Sequence, residues 1–172
     1  MSIAINDTGV DTNVKIEILR KNKVIKTIEK HNLATIDLCK YLRDAIAGVA
    51  NQAKRPQGIS PCRALEDGTL KPFYGNYTLI SGAPICGEDS DEKGDFAYAI
   101  LPFIIPYTSL QGGRRGPDGE YLLDGLQLFN LDNTKRDKLC AELILDEPLT
   151  LSQGVSLRIE WVLKVRYNWL EV

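Results

Sequence analysis

The chain has 172 residues, of which 44% are hydrophobic and 26% charged, with 14 Gly, 8 Pro, 4 Cys and a single His. This length suits one domain that needs neither a disulfide nor a structural metal, and the balance of apolar and charged residues argues against intrinsic disorder. The formal net charge of -2 argues against specific nucleic-acid binding, which normally shows as a basic excess or a basic face.

The amino-terminal segment does not resemble an export signal. Residues 1–12 are small and polar, without a basic stretch followed by an apolar one, and they are predicted to form an N-terminal arm or a short first strand. We therefore expect a protein that is made in the cytoplasm and not secreted. The longest apolar stretch, residues 97–107, is about half as long as a membrane-spanning helix and contains Pro102 and Pro106, so no membrane insertion is expected.

The four cysteines are far apart in the sequence and none has a neighbouring histidine. They are Cys39, Cys62, Cys86 and Cys140. Because zinc ligands normally come in close pairs, this spacing predicts no metal site and no cofactor, and favours four buried thiols.

Hydrophobic periodicity identifies the first elements. Val14, Ile16 and Ile18 alternate with polar residues, and a turn at 21–23 leads to a second strand at 24–28, so residues 13–30 are predicted to form a β-hairpin. The apolar period then changes to three and four over residues 35–48, which indicates the one α-helix, with Thr35 as its N-cap and Gly48 at its end.

The middle of the chain is predicted to contain three long loops. Residues 50–62 are rich in Pro and Gly, residues 87–95 carry five acidic residues and one Lys, and residues 108–120 are rich in Gly. Short strands are expected at 63–66 and 69–73 around an Asp-Gly turn, and further strands at 77–85 and 96–107. The prolines of the 96–107 strand favour an edge position or a bulge.

The last third shows the clearest strand pattern. Residues 121–130, 139–145 and 155–167 are predicted strands joined by polar turns. Strands this close in sequence cannot be joined by helical crossovers, so the sheets should be antiparallel. The expected fold is a mainly β, antiparallel β-sandwich of about eight strands with one α-helix at about 35–48, forming a single domain over residues 13–172.

Motifs that would carry chemistry are incomplete. His31 has no nucleophile or orienting acid near it in sequence, so a structural role is favoured. The acidic stretch resembles the start of a calcium-binding loop, but Lys93 and Ile100 stand where that loop needs oxygen ligands, so a solvated loop is favoured. The Gly-Gly-Arg-Arg-Gly run at 112–116 lacks the strand and helix context of a phosphate-binding loop.

Two separated segments together resemble small structural proteins of tailed-bacteriophage virions. The first is the basic hairpin, followed by His-Asn-Leu-Ala-Thr at 31–35 and a helix that ends Ala-Gly at 47–48. The second is the series Leu-Asp-Gly-Leu-Gln-Leu-Phe at 123–129, Leu-Ser-Gln-Gly at 151–154 and Arg-Ile-Glu-Trp at 158–161. The order and spacing of these segments carry the resemblance. The middle departs from the family pattern, since residues 59–65 replace its usual Gly-Thr-Gly-rich segment.

The resemblance implies a non-enzymatic virion component of the neck, tail, baseplate or capsid exterior. We expect repeated copies, such as a ring or collar, that contact one another and other virion proteins. The candidate contacts join the acidic loop to the arginine pair of a neighbour and add an apolar patch near 103–107. The candidate interface residues are Glu88, Asp89, Asp91, Glu92, Arg114, Arg115, Phe103, Ile105 and Tyr107.

Two other classes of function remain open from the sequence. A carbohydrate-binding or receptor-binding β-sandwich module would need an exposed aromatic side chain, for which Tyr74, Tyr77 and Trp169 are the candidates. A hydrolase with dispersed carboxylates is the third hypothesis, and the spacing of the acidic residues gives it no support.

Overall fold

The described residues of the protein fold into an antiparallel β-sandwich with one α-helix. The computed structural model describes residues 10–34, 36–49, 55–73, 77–132 and 135–166. In chain order, its elements are β1 (Val10–Arg20), β2 (Lys23–Ala34), α1 (Ile36–Ile46), β3 (Pro56–Ala64), β4 (Leu70–Pro72), β5 (Thr78–Leu79), β6 (Ile85–Asp91), β7 (Gly94–Ile105), a 3-10 helix (Tyr107–Leu110), β8 (Arg114–Arg115), β9 (Tyr121–Asp132), β10 (Lys135–Leu151) and β11 (Val155–Arg166).

The first sheet contains five long strands in the order β2-β1-β11-β7-β6. β11 is its central strand, and it pairs with β1 from Val10↔Val165 to Arg20↔Val155 and with β7 on its other side. The strict apolar period of β11 explains this position, because its odd-numbered residues from Val155 to Trp161 are buried between the sheets while Arg158 points outward.

The second sheet is built around β9, which pairs with β10 on one side and with β3 and the short β8 on the other. β4 and β5 extend it by pairing with β3. The two sheets share β2, whose last residues Leu33 and Ala34 pair with β10 while its earlier residues pair with β1. This shared strand connects both layers of the sandwich.

The core lies between the two sheets and is closed at one end by α1. Its largest fully buried side chains include Trp161, Phe103 and Phe129. Leu38 of α1 is also fully buried and belongs to the same cluster. The helix ends as expected, since Gly48 has a positive φ of 71° and its N–H donates to Ala45 O at 3.1 Å. Thr35, the expected N-cap, lies outside the described residues.

The structure corrects two of the three expected long loops. The described part of 50–62 is not a loop, because residues 56–64 form the buried strand β3. The acidic stretch 87–95 is not a loop either, because it forms β6, a two-residue turn and the start of β7. Residues 108–120 do contain irregular chain, interrupted by the 3-10 helix and by β8.

These differences bring the described part of the chain to eleven strands rather than about eight. β3 pairs with β9 in spite of Pro56 and Pro61, and the Pro61 carbonyl accepts a hydrogen bond from Phe73 N at 2.9 Å. β7 is not an edge strand, since it lies between β11 and β6. Pro102 of β7 lies beyond Ile100, which is the last residue of β7 that pairs with β6. Of the expected arm, residues 10–12 belong to β1 and residues 1–9 lie outside the described part.

Candidate interaction surface

An apolar stripe lies on the outer face of the first sheet, along β7. In this strand the odd-numbered residues from 101 to 105 face the core, so the even-numbered residues face away from it. Cross-strand pairing places Ile85 of β6 and Val162 of β11 on either side of Ile100. We call this surface the β7 stripe; its members are Ile85, Tyr98, Ile100, Pro102, Ile104 and Val162.

Two side chains of the β7 stripe are strongly exposed. Ile85 is 57% exposed and Ile104 is 51% exposed. A single exposed apolar side chain is common on protein surfaces, but these two belong to one group of apolar residues. Tyr98 lies across Gly87, where an added Cβ would come 2.5 Å from the tyrosine Oη, so the absence of a side chain at Gly87 lets the ring lie flat on the sheet. A contiguous apolar face of this kind is typical of a protein-protein contact.

The structure places Phe103 and Ile105 in the core rather than in an interface. Both side chains are fully buried, because they are odd-numbered residues of β7 and, like Leu101, face the core. Tyr107 begins the 3-10 helix and is half-buried, with its ring 5.8 Å from that of Tyr121 in an edge-on arrangement. The exposed residue of this segment is Ile104, which lies between the two buried ones.

The four candidate acidic residues all lie on the hairpin formed by β6 and β7, and all are exposed. Asp91 differs from the others because it is bound within the chain. Arg166 donates to both of its carboxylate oxygens, at 2.7 Å each, and Lys164 lies 3.8 Å away. The hydrogen bonds from Arg166 hold the pKa of Asp91 well below its usual value. Asp91 therefore fastens the hairpin to β11.

The two candidate arginines are also engaged within the chain. Arg114 makes a two-pronged contact with Asp124, from Nε to Oδ2 at 3.1 Å and from Nη2 to Oδ1 at 2.5 Å. Arg115 lies with its guanidinium 3.9 Å from the centre of the Tyr121 ring and donates to Gly119 O at 2.6 Å. Neither residue contacts the acidic hairpin in the described part of the chain.

Asp124 is the more buried partner of this pair, at 5% exposed. It also accepts a hydrogen bond from Ala64 N at 2.9 Å, so it connects β8, β9 and the end of β3. Burial alone would raise the pKa of Asp124, but the hydrogen bonds from Arg114 and Ala64 outweigh burial and lower it.

This arrangement predicts how Arg114→Ala changes acid stability. The lowered pKa means that Asp124 contributes stability above about pH 4, and this contribution is lost as the pH falls through its folded-state pKa. Without Arg114, only the hydrogen bond from Ala64 N–H offsets the cost of burying the Asp124 carboxylate. The unfolding free energy at pH 7 should therefore fall by about 1 to 2 kcal/mol, a range that allows for the solvent screening of a half-exposed arginine.

The decrease in unfolding free energy as the pH falls from about 5 to about 2.5 should then be smaller in Arg114→Ala than in the wild type. Urea denaturation at several pH values across this range measures the unfolding free energy of both proteins. Lys71→Ala is the matched control, because Lys71 is an exposed cation of β4. An equal pH dependence of the wild type and Arg114→Ala would contradict the assigned role of Asp124.

Other candidates for chemistry are dispersed. The structure has Cys62 and Cys140 buried and Cys39 half-buried, while Cys86 is exposed on β6, so the expectation of four buried thiols is wrong for Cys86. His31 is exposed, with Nδ1 2.8 Å from Asn13 Oδ1. Within the described ranges, no three His, Cys, Asp or Glu side chains are grouped closely enough to bind a metal ion. The described helix is too short and too polar to cross a membrane.

Of the three aromatic candidates for sugar binding, the described part of the chain contains Tyr77. Tyr77 is exposed and packs edge-on against Phe129, with 6.2 Å between ring centres, while Tyr74 and Trp169 lie outside the described residues. A separate polar hollow of about 590 Å³ lies beside the 3-10 helix. It is lined by Tyr107, Gln111, Arg115, Asp118, Glu120 and Gln153.

Comparison with known proteins identifies no relative. No protein-family model, no curated protein and no solved structure matches this chain. The geometry therefore carries the functional argument. Several ionisable groups with shifted pKa values lie in ion pairs on the outer face of the first sheet. Lys15 and Glu17 of β1 pair with each other, and Glu17 also pairs with Arg158 of the neighbouring β11.

The apolar patch predicted at 103–107 contained Ile104 but did not separate it from the buried Phe103 and Ile105. The choice of interface residues missed Ile85 and Ile100. The signal that could have found Ile100 is the period of two in residues 96–105, which separates the two faces of β7. Ile85 carried no such signal, because its partner Ile100 lies across a hairpin whose acidic composition indicated a loop.

Proposed function

We propose that this protein is a non-enzymatic structural component of a tailed-phage virion. It assembles in repeated copies, as a ring or collar of the neck or tail or on the capsid, through contacts with itself and with neighbouring virion proteins. The observation that carries this proposal is the β7 stripe, an apolar surface on a sheet face that would otherwise be polar. The protein is made in the host cytoplasm and ends in the particle.

The energetics of association favour the β7 stripe over the exposed charges as the source of affinity. Exposed ion pairs contribute about 0 to 1 kcal/mol each, whereas burying apolar surface contributes about 25 cal/mol per Å². Ile85 and Ile104 each retain more than half of their surface for such burial. Charges around the stripe then determine orientation and partner choice.

Two further features support a structural role. The resemblance to phage virion proteins covers both ends of the chain, which contribute β1, β2 and β11 to one sheet. In addition, Asp91 and Arg166 are placed to fasten a hairpin, and Arg114 and Asp124 to connect strands. These charged groups contribute to the rigidity of the sandwich.

The direct test is the composition of purified particles. Mass spectrometry of virions should detect the protein in multiple copies, and deletion of its gene should yield incomplete particles by electron microscopy. Virions of normal infectivity that lack the protein in every particle would refute the proposal.

A substitution in the β7 stripe tests the observation that carries the proposal. Ile104→Asp should reduce incorporation into particles at least tenfold, about 1.4 kcal/mol, because it places a charge in an apolar contact. Ile144→Asp is the matched control, since Ile144 is 56% exposed on β10 in the other sheet. Equal incorporation of the two variants would exclude the β7 stripe as the contact.

The polar hollow beside the 3-10 helix favours a second candidate, a carbohydrate-binding module. Tyr107 offers an aromatic edge there, and Arg115, Asp118 and Glu120 offer polar groups on the same hollow. Binding on a glycan array that is lost in Tyr107→Ala and kept in Tyr77→Ala would support this function. Absence of binding at millimolar glycan concentration would exclude it.

A further inference from the structure

One corner of the first sheet is strongly basic. The segment from Arg20 to Lys26, which forms the turn between β1 and β2, contains four cations and no acidic residue. We call it the basic corner; its cations are Arg20, Lys21, Lys23 and Lys26, all exposed. Two apolar residues of β2 lie among them, Val24 at 45% and Ile25 at 53% exposed.

Another corner of the same sheet is strongly acidic. Besides Asp91, the hairpin of β6 and β7 carries Glu88, Asp89, Glu92 and Asp95, and all of these are exposed. We call these four residues the acidic corner. Asp89 accepts the neighbouring Ser90 N–H at 2.8 Å. Within the described part of the chain, none of the four forms an ion pair.

The two corners lie diagonally opposite each other. The basic corner adjoins the beginning of β11, where Arg20 pairs with Val155, and it belongs to the β2 edge. The acidic corner adjoins the end of β11, where Phe96 pairs with Arg166, and it belongs to the β6 edge. Strands of this length and spacing separate the corners by roughly 35 to 40 Å. They cannot contact each other within one chain.

Each corner also lies on a strand edge with unpaired backbone groups. In the described part of the chain, β6 pairs only with β7, and β2 pairs with β10 only at Leu33 and Ala34. The edge of β2 from Lys23 to Lys26 therefore presents N–H and C=O groups beside its cations. Such edges are the usual sites of pairing between chains.

We propose that the acidic corner of one copy docks on the basic corner of a second copy. This contact rests on the proposed function as a repeated component and identifies the surfaces that join the copies. It is head-to-tail, because the two surfaces are different parts of the chain. Each copy retains one acidic and one basic corner, so the contact repeats into a ring or a filament and does not stop at a dimer.

The charges steer the encounter and set the register, and the exposed Val24 and Ile25 supply apolar area at its centre. Lys26 and Lys23 face an acidic group of four carboxylates, so the contact should weaken strongly as salt shortens the electrostatic range from about 10 Å at 0.1 M to about 3 Å at 1 M. This salt dependence distinguishes it from association through the β7 stripe alone.

Sedimentation velocity of the purified full chain tests the contact. The wild type should form species larger than a dimer at about 0.05 M salt and dissociate toward monomer at about 1 M salt. Lys23→Glu/Lys26→Glu and Glu88→Lys/Glu92→Lys should each weaken association at least tenfold at low salt. The control for the first variant is Arg63→Glu/Lys71→Glu, which makes the same change of net charge as Lys23→Glu/Lys26→Glu at exposed positions of the second sheet.

Mixing the two corner variants restores one intact contact. The first variant keeps its acidic corner and the second keeps its basic corner, so an equimolar mixture should form a 1:1 complex and stop there, because the substituted corner of each copy has lost its net charge. A wild type that is monomeric at low salt, or whose association does not change with salt, would overturn the proposal. Equal weakening by the control variant, or failure of the mixture to associate, would overturn it as well.

These results are distinguishable from failure of the proposed function. Salt-dependent association through the corners of a protein that is absent from particles would refute the virion role and keep the contact. Particles that contain the protein, with corner variants incorporated normally, would keep the role and refute the contact.

Discussion

Phe103→Ala should lower the free energy of unfolding by about 3 to 5 kcal/mol, whereas Ile104→Ala should lower it by less than about 1 kcal/mol. The two residues are neighbours in β7, and the pleat of the strand sends them to opposite faces. Phe103 is fully buried in the core between the sheets, so its removal leaves a large cavity. Ile104 faces away from the core, and the alanine that replaces it leaves no enclosed cavity.

Urea denaturation followed by tryptophan fluorescence measures both values. The comparison is informative because the two residues are adjacent in β7 and lie on opposite sides of the sheet. Similar losses for Phe103→Ala and Ile104→Ala would contradict the register of β7 with β11, in which Phe103 pairs with Ile159 and Ile104 with Arg158. Such a result would also contradict the assignment of the β7 stripe to the outer face of the first sheet.

Gly125→Ala should lower the free energy of unfolding by about 3 kcal/mol, the upper part of the range for overpacking. Gly125 lies in the middle of β9, between β3 and β10. A Cβ at this position would collide with Leu143 O of β10 and with the side chain of Leu70. The backbone oxygen cannot move without disturbing the pairing of β9 with β10, so the strain cannot be relieved by a side-chain rotation.

Gly82→Ala is the control for Gly125→Ala. The nearest atom to an added Cβ at Gly82 is Pro102 Cγ at 4.0 Å, an ordinary contact distance, and the residue has no positive φ. Its unfolding free energy should therefore stay within about 0.5 kcal/mol of the wild-type value. A Gly125→Ala variant as stable as Gly82→Ala would contradict the close approach of β9 and β10.

Much of the fold was predictable where the sequence alternates regularly. The hairpin of β1 and β2, the helix at 36–46 and the strands β9 and β11 were all expected near their observed positions. The strand expected at 139–145 lies within the longer β10, which spans 135–151. In β11 the period of two is nearly unbroken, because one face contributes to the core and the other carries the outward Lys and Arg residues. Antiparallel pairing and the sandwich then follow from the short connections between strands.

β3 was not predictable because its local composition opposes its structure. Pro56, Gly58 and Pro61 indicate a loop by every local rule. Their places are determined by contacts distant in sequence: a Cβ at Gly58 would come 2.7 Å from Phe129 Cε2, so the glycine makes room for that ring. The pattern of residues in one segment does not contain this information.

The candidate site was predictable only in part. The charged residues of the acidic hairpin and the arginine pair were recognised by composition, but their partners Arg166 and Asp124 are 75 and 10 positions away. Such ion pairs depend on the tertiary arrangement of strands. The choice among Phe103, Ile104 and Ile105 depended on whether the odd-numbered or the even-numbered residues of β7 face the core. That is determined by the register of β7 with β11.

The central position of β11 has a consequence for biosynthesis. In the part of the chain that the structure describes, it follows the other ten strands, yet it must be inserted between β1 and β7. The hairpins β1–β2 and β6–β7 can form from neighbouring segments, whereas the β1–β11 pair joins residues as distant as Val10 and Val165, a topology that folds slowly. Until β11 has left the ribosome, β1 and β7 both expose edges that can pair with other chains. Translation that stops before residue 155 should therefore yield aggregated product rather than a smaller soluble domain.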